Sequence, residues 1–405
     1  MNTQARAVVL GMGVTGLGVT RSLGEAGIRV TGVDTTRWAP ERFSRYCEPL
    51  VCPSPMIEPA RVLELLLAEG ERLERPAVLF PASDAFALFL SRHRAELGRR
   101  FAFALPLPVV SEALVDKWLQ HQMVERTGIP CPRTVRLESP ADIPRIQREI
   151  GYPAFLKPRL SHRWARVFAT KGFRVDGPAD LERRLAQIAP SGLDVIVQAI
   201  IPGPNPNHYH VCAYIDASNQ PLGLYVQRKL RQYPPDFGNG ALNESVRAPD
   251  AAELGAALLQ RVQYRGVGFI EFKRDARTGE LTLIEVNPRL PLSNLLATRC
   301  GVNLPLLAYL DLTGQKPAAQ TEYRVGLRFL VVGKDFRAFL HYRRRGELGF
   351  AAWARSVLTA RVFPHLDPRD PLPFVLAVVR GLWRRLVYRP MKAWHGIRRR
   401  RRTGR

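Results

Sequence analysis

The sequence has no CxxC pair among its five cysteines (Cys47, Cys52, Cys131, Cys212 and Cys300), and their spacing suits neither a zinc site nor a disulfide framework. That absence points to a reduced, cytoplasmic setting. No uncharged apolar run reaches the roughly 18 residues a membrane span needs. The apolar stretch Ala7–Val14 runs into Gly-rich sequence and a polar helix, as a buried first strand does and a signal peptide does not. The eight histidines form no ligand cluster, no Ser-His-Asp or Cys-His order stands out, and there are no internal repeats. Acidic residues are scarce: 36 Asp/Glu face 60 Lys/Arg, a formal net charge of +24. The shortage is local, because residues 321–405 hold 21 Lys/Arg against 5 Asp/Glu.

What is present is 46% apolar residues over a length of 405. That supports two or three domains with sizeable cores and argues against general disorder. The opening AVVLGMGVTGLGVTRSLGEAGIRVTGVD reads as strand, Gly-rich turn, helix and strand, and PAVLFPASDAFALFL repeats the scheme. Alternating strands and helices imply an α/β unit with a parallel sheet. This first domain is expected over 1–112. A second domain over 113–315 opens with a helix from Ser111 to Arg126 that stops at Gly128 and Pro130. Strands and helices follow, ending in VGFIEFKRDARTGELTLIEVNPR, which reads as strand, turn, strand. Residues 316–405 form a basic helical extension with amphipathic segments and an Arg run at Arg398–Arg402.

A hairpin turning at Thr278–Gly279 sets Glu271 opposite Glu285 on one face. Side chains alternate, so Asn287 shares Glu285's face and Phe269 shares that of Glu271, while Ile284 and Val286 are expected to face the core. Opposed carboxylates repel unless a proton or cation lies between them. Two carboxylates and an amide oxygen are hard donors suited to Mg²⁺, which completes its shell with water and phosphate oxygens. The plain alternative is a solvated hairpin face with ordinary charges.

GFIEFKRD followed by LIEVNPRL resembles the carboxylate-rich end of ATP-grasp ligases. The resemblance implies that Glu271, Glu285 and Asn287 hold magnesium against ATP phosphates, with Mn²⁺ as a substitute, and that Arg289 grips a substrate or phosphate. Lys117 in DKWLQHQMVERTGIPCP and Lys157 in FLKP match the nucleotide-binding lysines. VQAIIPGP matches the segment lining the adenine pocket, with Gln198 and the backbone of Ala199, Ile200 and Ile201 as contacts. The implied fold is an ATP-grasp domain, with a lid at about 125–195, behind an N-terminal Rossmann-like domain. Within the superfamily, KPRLSHRWARVFATKGFRV and QRKLRQYPPDFGNGALNES resemble carboxylate–amine ligases of the D-aspartate ligase type. The implied activity joins a carboxylate to an amine, an amino acid among them, through an acyl phosphate. Arg231 is a further candidate for the substrate or tetrahedral intermediate, with Lys229 and Ser293 behind it. Two departures stand out. The loop after Lys157 is not Gly-rich, so His162, Arg163 or Lys171 would have to grip the phosphates. Ala199 replaces an acidic ribose ligand, leaving Asn205, Asn207 or His208 for that task.

Two other readings compete. GMGVTG at Gly11–Gly16, with Asp34 about 20 residues on, matches a dinucleotide fingerprint and an NAD-dependent oxidoreductase; the rival is a glycine turn that serves packing. A non-catalytic nucleotide- or membrane-binding protein would keep the fold without turnover. The tail, with Trp383, Tyr388 and Trp394 beside arginines, suits an anionic membrane surface, nucleic acid, or a solubilising end, the first being preferred. A peripheral position on the inner membrane face and a homodimer follow as expectations.

Overall fold

The computed structural model describes residues 4–383; the tail containing Tyr388, Trp394 and the Arg run lies outside them. Three sheets organise the chain. The first is parallel, in the order Cys47–Val51, Val30–Asp34, Ala7–Leu10, Ala77–Pro81, Phe101–Ala102. Its central strand Ala7–Leu10 is buried throughout, as a continuous apolar run demands.

The expected helix Ser111–Arg126 is instead two helices, Pro108–Val115 and Lys117–Glu125. Asp116 breaks it: its backbone turns extended, and its carboxylate caps the second helix by accepting from the amides of Trp118 and Leu119. Arg159 clamps the same carboxylate, at 3.0 Å from Nε. Lys117 thereby becomes the first residue of the second helix.

The second sheet is antiparallel, in the order Thr134–Leu137, Val195–Ala199, Ala154–Pro158, Phe173–Val175. It has its own core around Val135, Leu156, Trp164, Leu181 and Val197. The third is a six-stranded antiparallel sheet, in the order Leu281–Asn287, Gly266–Arg274, His208–Ile215, Pro221–Tyr233, Asn239–Ser245, Arg328–Leu330. Period-two alternation splits its faces. Val211, Ala213, Val226, Ile270 and Val286 pack in a core with Leu258 and Leu259 of the helix Pro249–Arg261. The other face presents His210, Glu271 and Lys229. The last strand, Arg328–Leu330, comes from the C-terminal extension, so the extension begins inside this sheet.

Three helices follow, Val332–Arg344, Phe350–Leu358 and Leu372–Trp383. Among the described residues no helix is long and apolar enough to cross a membrane. The extension returns to the N-terminal unit through Arg21, whose Nε donates to Asp370 at 2.9 Å and whose other nitrogens donate to the carbonyls of Pro364, His365 and Asp370.

The Gly-rich opening is used for close packing. A side chain at Gly16 would collide with the Gly11 carbonyl, and one at Gly18 with the Asn294 amide. The helix Val14–Gly24 therefore lies against Asn294–Cys300, and Ser22 and Thr298 join their hydroxyls at 2.8 Å. Asp34 accepts from the amides of Met12 at 2.6 Å and Thr36 at 2.7 Å, tying the strand end to the glycine turn. Both carboxylate oxygens are engaged by backbone, which favours the packing reading over a ribose contact.

Candidate active site

A cleft of about 590 Å³ opens where the three sheets meet. Glu271 stands directly opposite Glu285, the register expected from the hairpin's turn. Phe269 pairs with Asn287 in the next row but one, and all four side chains line the cleft. One expectation fails. The register shifts between Glu271 and Phe272, so Ile284 is the extra residue of a bulge; it leaves the core and lines the cleft.

Each carboxylate has a cationic partner. Glu285 accepts from Lys117, and Glu271 accepts from Lys229 at 2.7 Å and contacts His208 Nδ1 at 3.1 Å. Burial pushes the Glu271 carboxyl up, but Lys229, with a hydrogen bond from His208, outweighs it and holds the group well below the usual range. Burial likewise opposes ionisation of Glu285, and Lys117, with Lys171 and Lys157, holds it at about 2. Both groups are thus carboxylates at neutral pH. Gln120 explains how Lys117 reaches Glu285: its amide donates to the Val286 carbonyl at 2.7 Å and accepts from the Val286 amide at 3.1 Å, pinning the helix to the hairpin.

Lys157 projects from its strand and donates to Gln198 Oε1 at 2.7 Å, and Gln198 donates in turn to Thr134. Burial, with help from nearby Lys117, lowers the Lys157 ammonium to about 8. Lys171, Gln198, Ala199, Ile200, Ile201, His208 and Arg289 also line the cleft. Arg289 donates to Asp84 at 2.6 Å, reaching across to the N-terminal unit.

Several expected residues lie elsewhere. Arg231 is buried away from the cleft, with Nε on Asp335 at 2.7 Å and Nη1 on Ser356 at 2.8 Å. The reason is local. Register shifts on either side of Arg231 turn it to the opposite face from Lys229 and Gln232, which do line the cleft. Asn205 bonds Tyr342 and Gln232, and Asn207 bonds the Arg274 carbonyl, so neither is a cleft residue. His208 sits against Glu271, at the carboxylate end. His162 and Arg163 fall in the short helix Ser161–Trp164 and do not line the cleft, unlike Lys171.

The sequence reading missed other wall residues. Phe155 and Phe237 stack with ring centroids 4.1 Å apart and give the cleft an aromatic wall. Asp84 was visible only as a loop residue in PASD. Asn243 and His210 lie on strands and carry no motif that marks them.

Among the described residues no three or more His, Cys, Asp or Glu side chains gather as a complete cation site. Two carboxylates and an amide are instead a partial set of hard oxygen donors. Such a set fits a magnesium ion that takes its remaining ligands from phosphate and water.

The architecture is the ATP-grasp fold. It is shared with the biotin carboxylase domain of the Hydrogenobacter thermophilus 2-oxoglutarate carboxylase, solved with MgADP, ADP and bicarbonate (TM-score 0.63, 19% identity, 81% of this chain and 74% of that one). It is shared also with Staphylococcus aureus N5-carboxyaminoimidazole synthetase, solved with ADP (TM-score 0.62, 15% identity, 78% and 79% of the two chains). Among curated proteins, the chain is similar to a D-aspartate ligase of Enterococcus faecium, 26% identical over 365 residues that span 85% of this chain and 86% of the relative. No family model matches the sequence.

Proposed function

We propose that this chain is an ATP-dependent carboxylate–amine ligase that works through an acyl phosphate. The observation that carries the reading is the facing pair Glu271 and Glu285, with Asn287 beside them, in one cleft with Lys157 and Arg289. Bound magnesium would be held by those three donors and would screen the charge of the phosphates. Lys117, Lys157 and Lys171 bring positive charge to the triphosphate. Gln198 and the Ala199–Ile201 backbone, beside the Phe155–Phe237 wall, suit a purine. Arg289, oriented by Asp84, offers a bidentate fork to a carboxylate or to the transferring phosphoryl group. A substrate carboxylate attacks the γ-phosphorus and ADP leaves; the amine then attacks the acyl carbon and inorganic phosphate leaves. The relative's name makes D-aspartate the first carboxylate to try.

The test has two parts. Mg–ATP, but not NAD, should raise the melting temperature, and Glu285→Ala should remove that shift. With D-aspartate and a panel of other carboxylates, ATP and hydroxylamine should yield a hydroxamate and ADP. An unchanged nucleotide shift in Glu285→Ala would sink the metal assignment, and stabilisation by NAD would return the oxidoreductase reading.

A second reading concerns the extension. Helix Leu372–Trp383 turns Val375, Val379 and Leu382 outward, each about half exposed (49%, 55% and 52%), and residues 384–405 add ten Lys/Arg without one Asp/Glu. An apolar helix face beside dense positive charge suits an anionic membrane surface better than a nucleic acid, which needs no aliphatic face. Sedimentation with phosphatidylglycerol vesicles, but not with phosphatidylcholine vesicles, is the expected result. Val379→Asp and removal of 384–405 should each weaken it without abolishing ATP hydrolysis. Equal sedimentation of all three proteins rejects the reading.

A further inference from the structure

The large sheet carries a row of polar side chains at the cleft, half of which the phosphate-binding reading does not use. On the six-stranded sheet Glu285 pairs with Glu271, Glu271 with His210, and His210 with Gln227. Four adjacent strands thus present one row. Strand spacing puts Gln227 roughly 10 Å from Glu271. Lys229, two residues along, pairs with Asn243; His210, Lys229 and Asn243 line the cleft, and Gln227 lies behind it, bonded to the lining residue Ser293.

This half of the row is buried and incompletely bonded. His210 is 5% exposed, Gln227 0% and Asn243 2%. Gln227 donates to Ser293 at 2.6 Å, leaving its Oε1 without a partner. Asn243 Oδ1 and both ring nitrogens of His210 also lack one, although His210 Nε2 lies 3.6 Å from Glu271. A buried polar group left unpaired is costly, so several beside one cleft call for a polar ligand.

We propose that His210 and Asn243, with Gln227 positioned behind them, form the subsite that holds the amine nucleophile, a primary amine presented as its free base. The proposal rests on the ligase reading above and adds where its second substrate sits. The Asn243 amide oxygen and one ring nitrogen of a neutral His210 are acceptors for N–H groups. Both are uncharged. A carboxylate in their place would favour an ammonium, which has no lone pair for attack, and Lys229 nearby disfavours a cation further. The row's other end is the carboxylate pair, so the amine rests beside the place where the acyl phosphate forms. Ser293, from the segment after Arg289, lines the cleft and joins it to the Gln227 amide.

The test uses hydroxylamine as the amine. Asn243→Leu and Gln227→Leu should each raise the KM for hydroxylamine about tenfold or more, with the KM for ATP and the melting shift by Mg–ATP unchanged. Gly240→Ala should act in the same direction, because a side chain at 240 would collide with Asn243 Oδ1. A second measurement needs no turnover. In full-length protein loaded with Mg–ADP and ¹⁵N-labelled at Asn and Gln, hydroxylamine should move the side-chain amide signals of Asn243 and Gln227, assigned from the Leu variants. Fixed signals, or hydroxamate formation with an unaltered KM in both variants, overturn the subsite. Moving signals with no hydroxamate from any carboxylate keep the subsite and reject the ligase reading instead.

Discussion

At the scale of single residues, the cleft is a problem of charge held close together. Lys117, Lys157, Lys171, Lys229, Lys273 and Arg289 share it with Asp84, Asp236, Glu271 and Glu285. That surplus of cations matches a polyanionic ligand, and it shapes the pH behaviour of Lys157. Its ammonium, lowered to about 8 by burial and by Lys117, should regain its proton when a triphosphate arrives. A group whose pKa rises on binding adds affinity that is complete below the free value and fades as pH climbs above it. Mg–ATP affinity should therefore hold up to about pH 8 and then fall toward roughly tenfold per pH unit. Calorimetry in buffers of different ionisation heat should find proton uptake at pH 9, little at pH 7, and none at either pH in Lys157→Met. Equal uptake at pH 9 in that variant would assign the proton elsewhere. The residues of this site were legible where they alternate on a strand, as Glu285 and Asn287 do. Asp84 was not, because its pairing with Arg289 bridges two units more than 200 positions apart and leaves no local pattern.

At the scale of elements, alternation located the hairpin and its register, and bulges defeated it elsewhere. A bulge changes which face each later residue points to, and no propensity in LYVQRKLRQY marks one. That is why Lys229 faces the cleft while Arg231, two positions on, does not. The split helix at Asp116 is similar: an Asp inside an apolar-periodic stretch reads as helix until its capping role is known. The bulged geometry gives Arg231 a structural task with a measurable cost. Arg231 and Asp335 are 7% and 1% exposed, and Trp353 Nε1 also donates to Asp335. Removing one partner strands a buried charge, so Asp335→Ala should destabilise by about 3–5 kcal/mol. The double change Arg231→Met, Asp335→Leu should recover most of that loss. Below its melting temperature, the double variant should keep the wild-type KM for the carboxylate substrate. A large rise in that KM with the fold intact would return Arg231 to the substrate site.

At the scale of the whole molecule, the extension is a strap as much as a tail. Arg328–Leu330 adds the edge strand of the large sheet, and residues 364–370 close over the helix Val14–Gly24. Asp370 is the knot: it accepts from Arg21, from the Ser44 hydroxyl at 2.7 Å and from the Arg45 amide at 2.9 Å. Arg299 adds a bridge, pairing with Glu25 at 2.7 Å and Asp367 at 2.9 Å. Composition registered this region only as basic, because its contacts join sequence ends more than 300 residues apart. Arg21 and Asp370 are 0% and 1% exposed, so their pairing is shielded from salt and the loss of one charge is costly. Asp370→Ala should lower stability by about 3–5 kcal/mol. It should also separate melting of the N-terminal unit from that of the rest, because the strap is one of the links that make them unfold together. Truncation after residue 363 should behave the same way, whereas truncation after 383 should leave the melting profile intact. Calorimetry distinguishes these outcomes. A single unshifted transition in Asp370→Ala would mean that the glycine-packed contact between Val14–Gly24 and Asn294–Cys300 suffices to hold the two units together.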